Sequence, residues 1–221
     1  MSVVILDHEL DATLIVDDQD DAREAYEDTV EDAELTPLPE PGPVAGTVED
    51  YFRRVREGPA SAGLCDHLLA HRNYARFSGA EFVAECTRNG FPAVLCTNYG
   101  EMIDEIRPYR RWIPSLQRPS KMTPDDFIRG LEECLYEIHH GFRPRREPWR
   151  TMIKVLEVHR EEGRFLLEAP AWSSTVVPLK FRNVPDEIIE RLTPGFRCRA
   201  RVNLGAESLD EIYFCDWQLI P

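Results

Sequence analysis

Short apolar runs alternate with amphipathic segments over residues 12–141, and this alternation constrains the fold more than any other feature of the sequence. The apolar runs predict buried strands at "ATLIV" (12–16), "SAGLCDHLLA" (61–70) and "PAVLCTN" (92–98), with weaker strands at 35–41 and 111–119. The intervening segments predict helices at 20–33, 47–58, 78–90 and 123–141, and a helical turn at 99–109. Repeated βα order of this kind predicts an α/β unit over residues 1–141, with a doubly wound five-stranded parallel sheet.

The pattern changes after Gly141. Residues 142–150, "FRPRREPWR", are rich in proline and arginine and predict a linker. Residues 151–221 show strand-like alternation and glycine-containing turns around one short helix at 185–192. This second part predicts a small, mostly antiparallel, barrel-like β domain, of the OB type or a related one.

Most of the net negative charge lies in the first part of the chain. The chain has a formal net charge of −14, and residues 1–142 hold 28 acidic and 13 basic side chains. This balance disfavours DNA binding, because phosphate neutralisation needs concentrated positive charge. An acidic front part suits a metal ion or a basic partner surface instead.

Cysteine spacing and hydropathy bear on location. The six cysteines lie far apart without metal-ligand spacing, which is typical of reduced thiols in a cytosol. We find no stretch of about 18 consecutive apolar residues and no signal peptide pattern. The sequence therefore predicts a cytoplasmic protein without a membrane span.

Three carboxylates follow predicted strands. Asp17 and Asp18 come directly after the first strand, and Asp66 falls near the end of the third. Ligands in an open parallel sheet collect beyond the carboxyl ends of the strands. Carboxylates that meet there repel one another unless a cation holds them, and oxygen ligands select Mg²⁺ or Mn²⁺. Asp20 and Asp21 are predicted only to begin the following helix.

At these positions the sequence resembles the receiver domain of two-component response regulators. The resemblance is carried by "LIVDD", by the aspartate of "LCDHLL" 48 residues after Asp18, by the threonine of "AVLCT" and by the basic residue of "LQRP". It implies a CheY-like fold over residues 12–141 and a phosphoacceptor at Asp66. It also implies that Thr97 hydrogen-bonds the phosphoryl group and that Arg118 stands where the family has lysine.

The same resemblance implies how a cation is bound. Asp18 becomes a direct Mg²⁺ ligand, Asp17 a ligand through water, Leu68 a ligand through its backbone carbonyl, and Asp66 a further member of the metal site. A sensor histidine kinase becomes the phosphodonor, and pairing of two copies through one sheet face becomes an expected homodimer. The only chemistry implied is self-phosphorylation and autodephosphorylation.

Three departures from the family pattern affect the expected switch. Arginine is a wider planar fork than lysine, so Arg118 keeps the charge but changes the geometry, and Lys121 is an alternative cation. The loop after Asp66 is about five residues longer than usual and carries polar and aromatic side chains, namely His71, Arg72, Tyr74 and Arg76. Ser115 occupies the offset of the switch aromatic, and Trp112 lies one turn earlier.

Three functions remain open. The first is an atypical response regulator whose output is protein contact, or which serves as a phosphate sink. The second is a pseudo-receiver that docks partners without phosphorylation. The third is a phosphatase of the haloacid dehalogenase kind, suggested by Asp18-Gln19-Asp20 after a strand.

Two arginine patterns in the second part are open as well. Arg146 and Arg150 have the Arg-x-x-x-Arg spacing of PilZ barrels, but a basic linker explains them more simply. "RCRARV" (197–202) places three arginines on one face of a strand. That face either binds an acidic partner or a nucleic acid strand, or is only solvated.

Overall fold

The computed structural model describes residues 2–69, 73–98 and 103–220, and the chain divides into two compact units. Unit 1 comprises Met1–Tyr99 and Trp112–Gly141, and unit 2 comprises Gly100–Arg111 and Phe142–Pro221. Residues 103–111, which the sequence analysis includes in the α/β part, cluster with unit 2. Within the part of the chain that the structure describes, no helix has both the length and the apolar character to cross a membrane.

Unit 1 contains a hairpin and a parallel sheet. Its strands are β1 (Val3–Ile5), β2 (His8–Leu10), β3 (Ala12–Val16), β4 (Thr36–Pro39), β5 (Ala62–Cys65), β6 (Ala93–Cys96) and β7 (Leu116–Gln117). The parallel sheet has the order β4-β3-β5-β6-β7. Renumbered within the sheet this is 2-1-3-4-5, the order of flavodoxin-like doubly wound folds. The predicted fold class is confirmed, and the proline-containing strand β4 lies at the edge of the sheet, where a missing N–H donor is tolerated.

The helices of unit 1 follow the predicted periodicity. They are α1 (Asp20–Asp32), α2 (Val48–Glu57), α3 (Gly79–Arg88) and α5 (Pro124–His140), while the short α4 (Ile103–Ile106) lies in unit 2. Thr47, Ser78 and Thr123 each close a capping box, in which the hydroxyl accepts from the third helical N–H. These caps explain why the helix starts are readable from local sequence.

The β1–β2 hairpin is not evident from sequence. Its turn residues Leu6 and Asp7 have φ values of 47° and 65°, as in a type I′ turn. Neither is the glycine or asparagine that usually marks such a turn, so the local signal is weak. The hairpin contributes Ile5 and Leu10 to the core of unit 1.

Unit 2 is an all-antiparallel five-stranded sheet, which confirms the predicted β class. Its strands are β8 (Pro148–His159), β9 (Arg164–Ala169), β10 (Ser173–Lys180), β11 (Arg197–Asn203) and β12 (Phe214–Leu219), in the order β10-β9-β8-β11-β12. The short helix α6 (Asp186–Ile189) precedes β11. The last three residues of the segment predicted as a linker, 148–150, are the first residues of β8. Pro148 is tolerated there because the first residue of a strand can lack an N–H donor.

Two buried arginines bind the 103–111 segment into unit 2. Arg107 is 3% exposed, and its guanidinium donates to the carbonyls of Pro178 at 2.7 Å and Leu209 at 3.1 Å. Buried Arg146 donates to the carbonyls of Arg110 and Arg111, both at 3.1 Å. Each guanidinium satisfies carbonyls that are distant in sequence, which explains why the segment clusters with the β unit.

Candidate functional site

Asp17 and Asp66 lie side by side at the carboxyl edge of the parallel sheet. The neighbouring strands β3 and β5 end in register, with Val16 opposite Cys65, and each aspartate is the next residue. The N–H of Asp66 donates to the carbonyl of Val16 at 2.9 Å. Asp17 is 2% exposed and Asp66 8% exposed, so both carboxyl groups are withdrawn from water.

Burial and mutual repulsion disfavour the charged forms of both groups. The pKa of Asp17 is raised to about 6, chiefly by burial; the Gln19 N–H at 2.8 Å opposes this shift, and the negative charges of Asp66 and Asp18 contribute to it. Burial also raises the pKa of Asp66. The backbone N–H of Leu68 at 2.6 Å and the Thr97 hydroxyl lower it in part, because both stabilise the charged carboxylate. A cation at this edge would relieve the repulsion.

Asp18 supplies a further oxygen. Its Oδ1 is buried and has no hydrogen-bond partner among the residues described, which is costly for a carboxylate. Oxygen-only donors suit Mg²⁺. However, no three His, Cys, Asp or Glu side chains of the described residues converge as a ready-made metal site. The donor chemistry fits Mg²⁺, and binding requires the carboxylates to turn toward a common point.

Thr97 joins the carboxylates from the next strand. It follows β6, is 2% exposed, and its hydroxyl hydrogen-bonds the Asp66 carboxylate. Arg118 follows β7 at an exposed position. With Lys121 it lines a cavity of about 580 Å³ against α5. The structure therefore brings Asp17, Asp66 and Thr97 together, and it places the two cations at the rim of a cavity.

The loop after Asp66 contributes structural contacts. His71 and Arg72 lie outside the described residues. Tyr74 is buried and donates its hydroxyl to the carbonyl of Glu40 at 2.9 Å, while Arg76 is exposed. Tyr74 therefore anchors the loop against the chain that follows β4.

The position of the switch aromatic is tightly packed. Buried Ser115 faces Gly130 of α5, where an added Cβ would lie 2.9 Å from the Ser115 Oγ and 2.7 Å from the Gln117 Nε2. An aromatic side chain at residue 115 would have to displace α5. Trp112 instead receives the guanidinium of Arg88, 5.4 Å from its ring centroid.

Gly79 lies against the site, a role that the sequence analysis did not assign to it. It begins α3, and an added Cβ would lie 1.7 Å from the backbone oxygen of Asp66. Its N–H also donates to the carbonyl of His67 at 3.0 Å. The only sequence signal is a glycine directly after the helix cap Ser78. The close approach arises from packing, which the local sequence does not show.

Asp20 takes no part in this edge. It is the first residue of α1, its side chain is 84% exposed, and it pairs with Arg23. Arg23 also donates to the backbone carbonyl of Asp17 at 2.6 Å. Asp20 therefore begins the helix as predicted, and the Asp-x-Asp pair needed for a dehalogenase-like phosphatase is not assembled.

The fold and the site define a doubly wound α/β unit with a carboxylate-rich edge, followed by a β unit. Neither a family model nor a curated protein matches the chain. Solved structures similar to it include a response regulator receiver domain protein from Clostridium thermocellum, with 14% identity and a TM-score of 0.43. That match covers 58% of this chain and 96% of the other.

Two further similar structures are also receiver domains of low sequence identity. The receiver domain of NtrX from Brucella abortus has 17% identity and a TM-score of 0.42, covering 56% of this chain and 97% of its own. A CheY-like receiver domain protein from Methanospirillum hungatei has 18% identity and a TM-score of 0.42, covering 58% and 96%. The fold assignment rests on the strand order, and the function is argued from the site.

Proposed function

We propose that the chain is an atypical response regulator that accepts a phosphoryl group on Asp66. The observation that carries the proposal is the shared sheet edge, where buried Asp66 neighbours buried Asp17 and receives the hydroxyl of Thr97. Strand order and these three side chains agree with the expectation drawn from the sequence motifs. A sensor histidine kinase is the proposed phosphodonor.

The chemistry assigns one task to each group. A carboxylate oxygen of Asp66 forms the new bond to phosphorus as the donor's phosphorus–nitrogen bond breaks, and the donor imidazole leaves with the electron pair. The Leu68 N–H holds the Asp66 Oδ2 at 2.6 Å and so orients the carboxylate. The Thr97 hydroxyl then donates to a phosphoryl oxygen, and Arg118 is the proposed counter-charge.

Mg²⁺ is the proposed cofactor. Asp17, Asp18, Asp66 and the Leu68 carbonyl are the groups that would hold it. When bound, it supplies positive charge that offsets the carboxylates and the transferring phosphoryl group. The orphaned Asp18 Oδ1 and the raised pKa of Asp17 support this assignment.

The output is proposed to run through unit 2 by protein contact. Residues 103–111 lie in sequence between Thr97 and Arg118 and belong to unit 2, and this supports an output through unit 2. DNA binding is not proposed, because unit 2 carries 16 basic and 15 acidic side chains.

Intact mass measurement tests the proposal. With Mg²⁺ and excess acetyl phosphate, the protein should gain one phosphoryl group, and Asp66→Asn should gain none. Asp20→Asn is the matched control, because Asp20 faces solvent beside the same site, and it should be modified like the wild type. A wild-type protein that stays unmodified under saturating donor contradicts the proposal.

A second candidate is a pseudo-receiver that docks partners without phosphorylation. The close packing of Ser115 against Gly130 favours it, because that packing leaves no room for a moving aromatic switch. It predicts that Asp66→Asn binds the cognate partner as tightly as the wild type does, and that phosphate mimics have no effect. A partner affinity that changes with either treatment contradicts it.

A further inference from the structure

The outward side of β8 and β11 carries five cationic side chains around one methionine. The cross-strand register places Arg150 opposite Arg201, Met152 opposite Arg199, and Lys154 opposite Arg197. We call these six side chains the basic face. Like charges directly opposite one another destabilise a sheet, so two of the three pairs cost stability. Met152, 44% exposed, leaves an apolar spot at the centre.

Most of this charge is not neutralised by the residues that the structure describes. Their ion pairs with the basic face occur only at its two ends, Lys154–Glu168 at 4.0 Å and Arg201–Asp216 at 3.8 Å. Three exposed arginines form no ion pair or side-chain hydrogen bond with any residue described. They are Arg150, Arg197 and Arg199. An anionic partner would relieve this repulsion.

Helix α1 carries the opposite arrangement. Glu24, Asp28 and Asp32 are exposed, follow one another at four-residue spacing, and form no ion pair with any residue that the structure describes. We call them the acidic ridge. Like charges at this spacing destabilise a helix, so the ridge also costs stability. Its members are about 6 Å apart along the helix axis. The arginines of β11 are about 6.8 Å apart along the strand.

We propose that the acidic ridge of one copy of the chain docks on the basic face of a second copy. The spacings match, and each surface relieves the repulsion within the other. Unit 1 holds 25 acidic and 10 basic side chains, a balance of −15, whereas unit 2 has a balance of +1. Unit 2 is therefore the part of a second copy that the acidic unit 1 approaches with the least repulsion, and the attraction acts at contact distance, between the acidic ridge and the basic face.

A nucleic acid fits the basic face less well. Faces that bind single strands stack bases on aromatic side chains, whereas the centre of this face is Met152. The association does not depend on phosphorylation of Asp66.

Sedimentation velocity of the full chain tests this docking. The wild type should self-associate at about 0.1 M salt, where the net repulsion between copies is screened beyond about 10 Å, and dissociate at about 1 M, where the pairing charges are screened as well. Arg199→Glu and Asp28→Lys should each raise the dissociation constant by about tenfold or more. An equimolar mixture of the two variants should associate again, since one retains the ridge and the other the face.

Matched controls separate the docking from net charge. Arg191→Glu and Glu57→Lys make the same charge changes at exposed positions outside both surfaces, and they should associate like the wild type. Circular dichroism melting verifies that each variant is folded. A wild type that stays monomeric at low salt overturns the proposal, as does a mixture that fails to associate. The proposal is also overturned if the wild type binds an oligonucleotide and Arg199→Glu does not, because the basic face would then be a nucleic-acid site.

Discussion

Replacing Asp17 by asparagine is expected to stabilise the protein at neutral pH when divalent cations are absent. The folded-state pKa of Asp17 is raised from 3.8 to about 6, so folding favours the protonated form. At roughly 1.4 kcal/mol per pKa unit the shift amounts to about 3 kcal/mol, which nearby solvent reduces to about 2 kcal/mol. Asparagine keeps the shape of the side chain and still accepts the Gln19 N–H.

The pH dependence follows from the direction of the shift. Below pH 3.8 Asp17 is protonated in both states, and the wild type and Asp17→Asn should be equally stable. Between pH 3.8 and about 6 Asp17 is ionised in the unfolded wild type but protonated in the folded one, so the free energy of unfolding of the wild type falls as the pH rises. Above about pH 6 the variant is therefore the more stable protein by about 2 kcal/mol. Urea unfolding in EDTA at several pH values measures the difference.

A control and a cation titration complete the experiment. Asp21→Asn lies in the exposed first turn of α1, so it should change stability by no more than about 0.5 kcal/mol, without this pH profile. Added Mg²⁺ should stabilise the wild type and not Asp17→Asn. The reasoning is refuted if Asp17→Asn is the less stable protein at pH 7, or if the difference does not vary with pH.

Three further substitutions probe contacts that only the folded chain creates. In a urea titration, Arg107→Met should lower the free energy of unfolding by about 3 kcal/mol, because it leaves buried carbonyls unpaired. Arg182→Met is the control: Arg182 belongs to an exposed ion pair, so its loss should cost less than about 0.5 kcal/mol. Gly79→Ala should prevent phosphorylation by acetyl phosphate in the mass assay, since its Cβ would meet a backbone oxygen at 1.7 Å, while Gly42→Ala, with open space, should be neutral. Gly130→Ala should lower the free energy of unfolding by about 1–3 kcal/mol, and with it the thermal midpoint, although alanine has the better helix propensity. The reason is that three side-chain atoms lie within 2.9 Å of the added Cβ. An unchanged midpoint would contradict the packing argument.

Much of unit 1 was predictable because its signals are local. The helix caps Thr47 and Thr123 are short-range patterns, and the apolar runs have the length of buried strands. The start of α1 at Asp20 follows from acidic residues after a strand, and it is confirmed. Parallel order then puts Asp17 and Asp66 at one edge without any further information.

Contacts between distant residues escaped prediction. Arg107 and its acceptor Pro178 are 71 residues apart, so nothing near Arg107 in sequence reveals that it binds the 103–111 segment into unit 2. Arg146, read from sequence as part of a basic linker, is a buried donor to two carbonyls. In both cases the sequence shows a charge, and only packing shows its partner.

By itself the sequence determined the order of elements in unit 1, the β class of unit 2 and the carboxylates at the sheet edge, because periodicity, capping and strand ends are properties of neighbouring residues. The tertiary structure alone decided how closely α3 approaches Asp66, which requires Gly79, and which charges oppose each other across β8 and β11. Those features depend on strand register and on the distance between α3 and the end of β5, which no short stretch of sequence encodes.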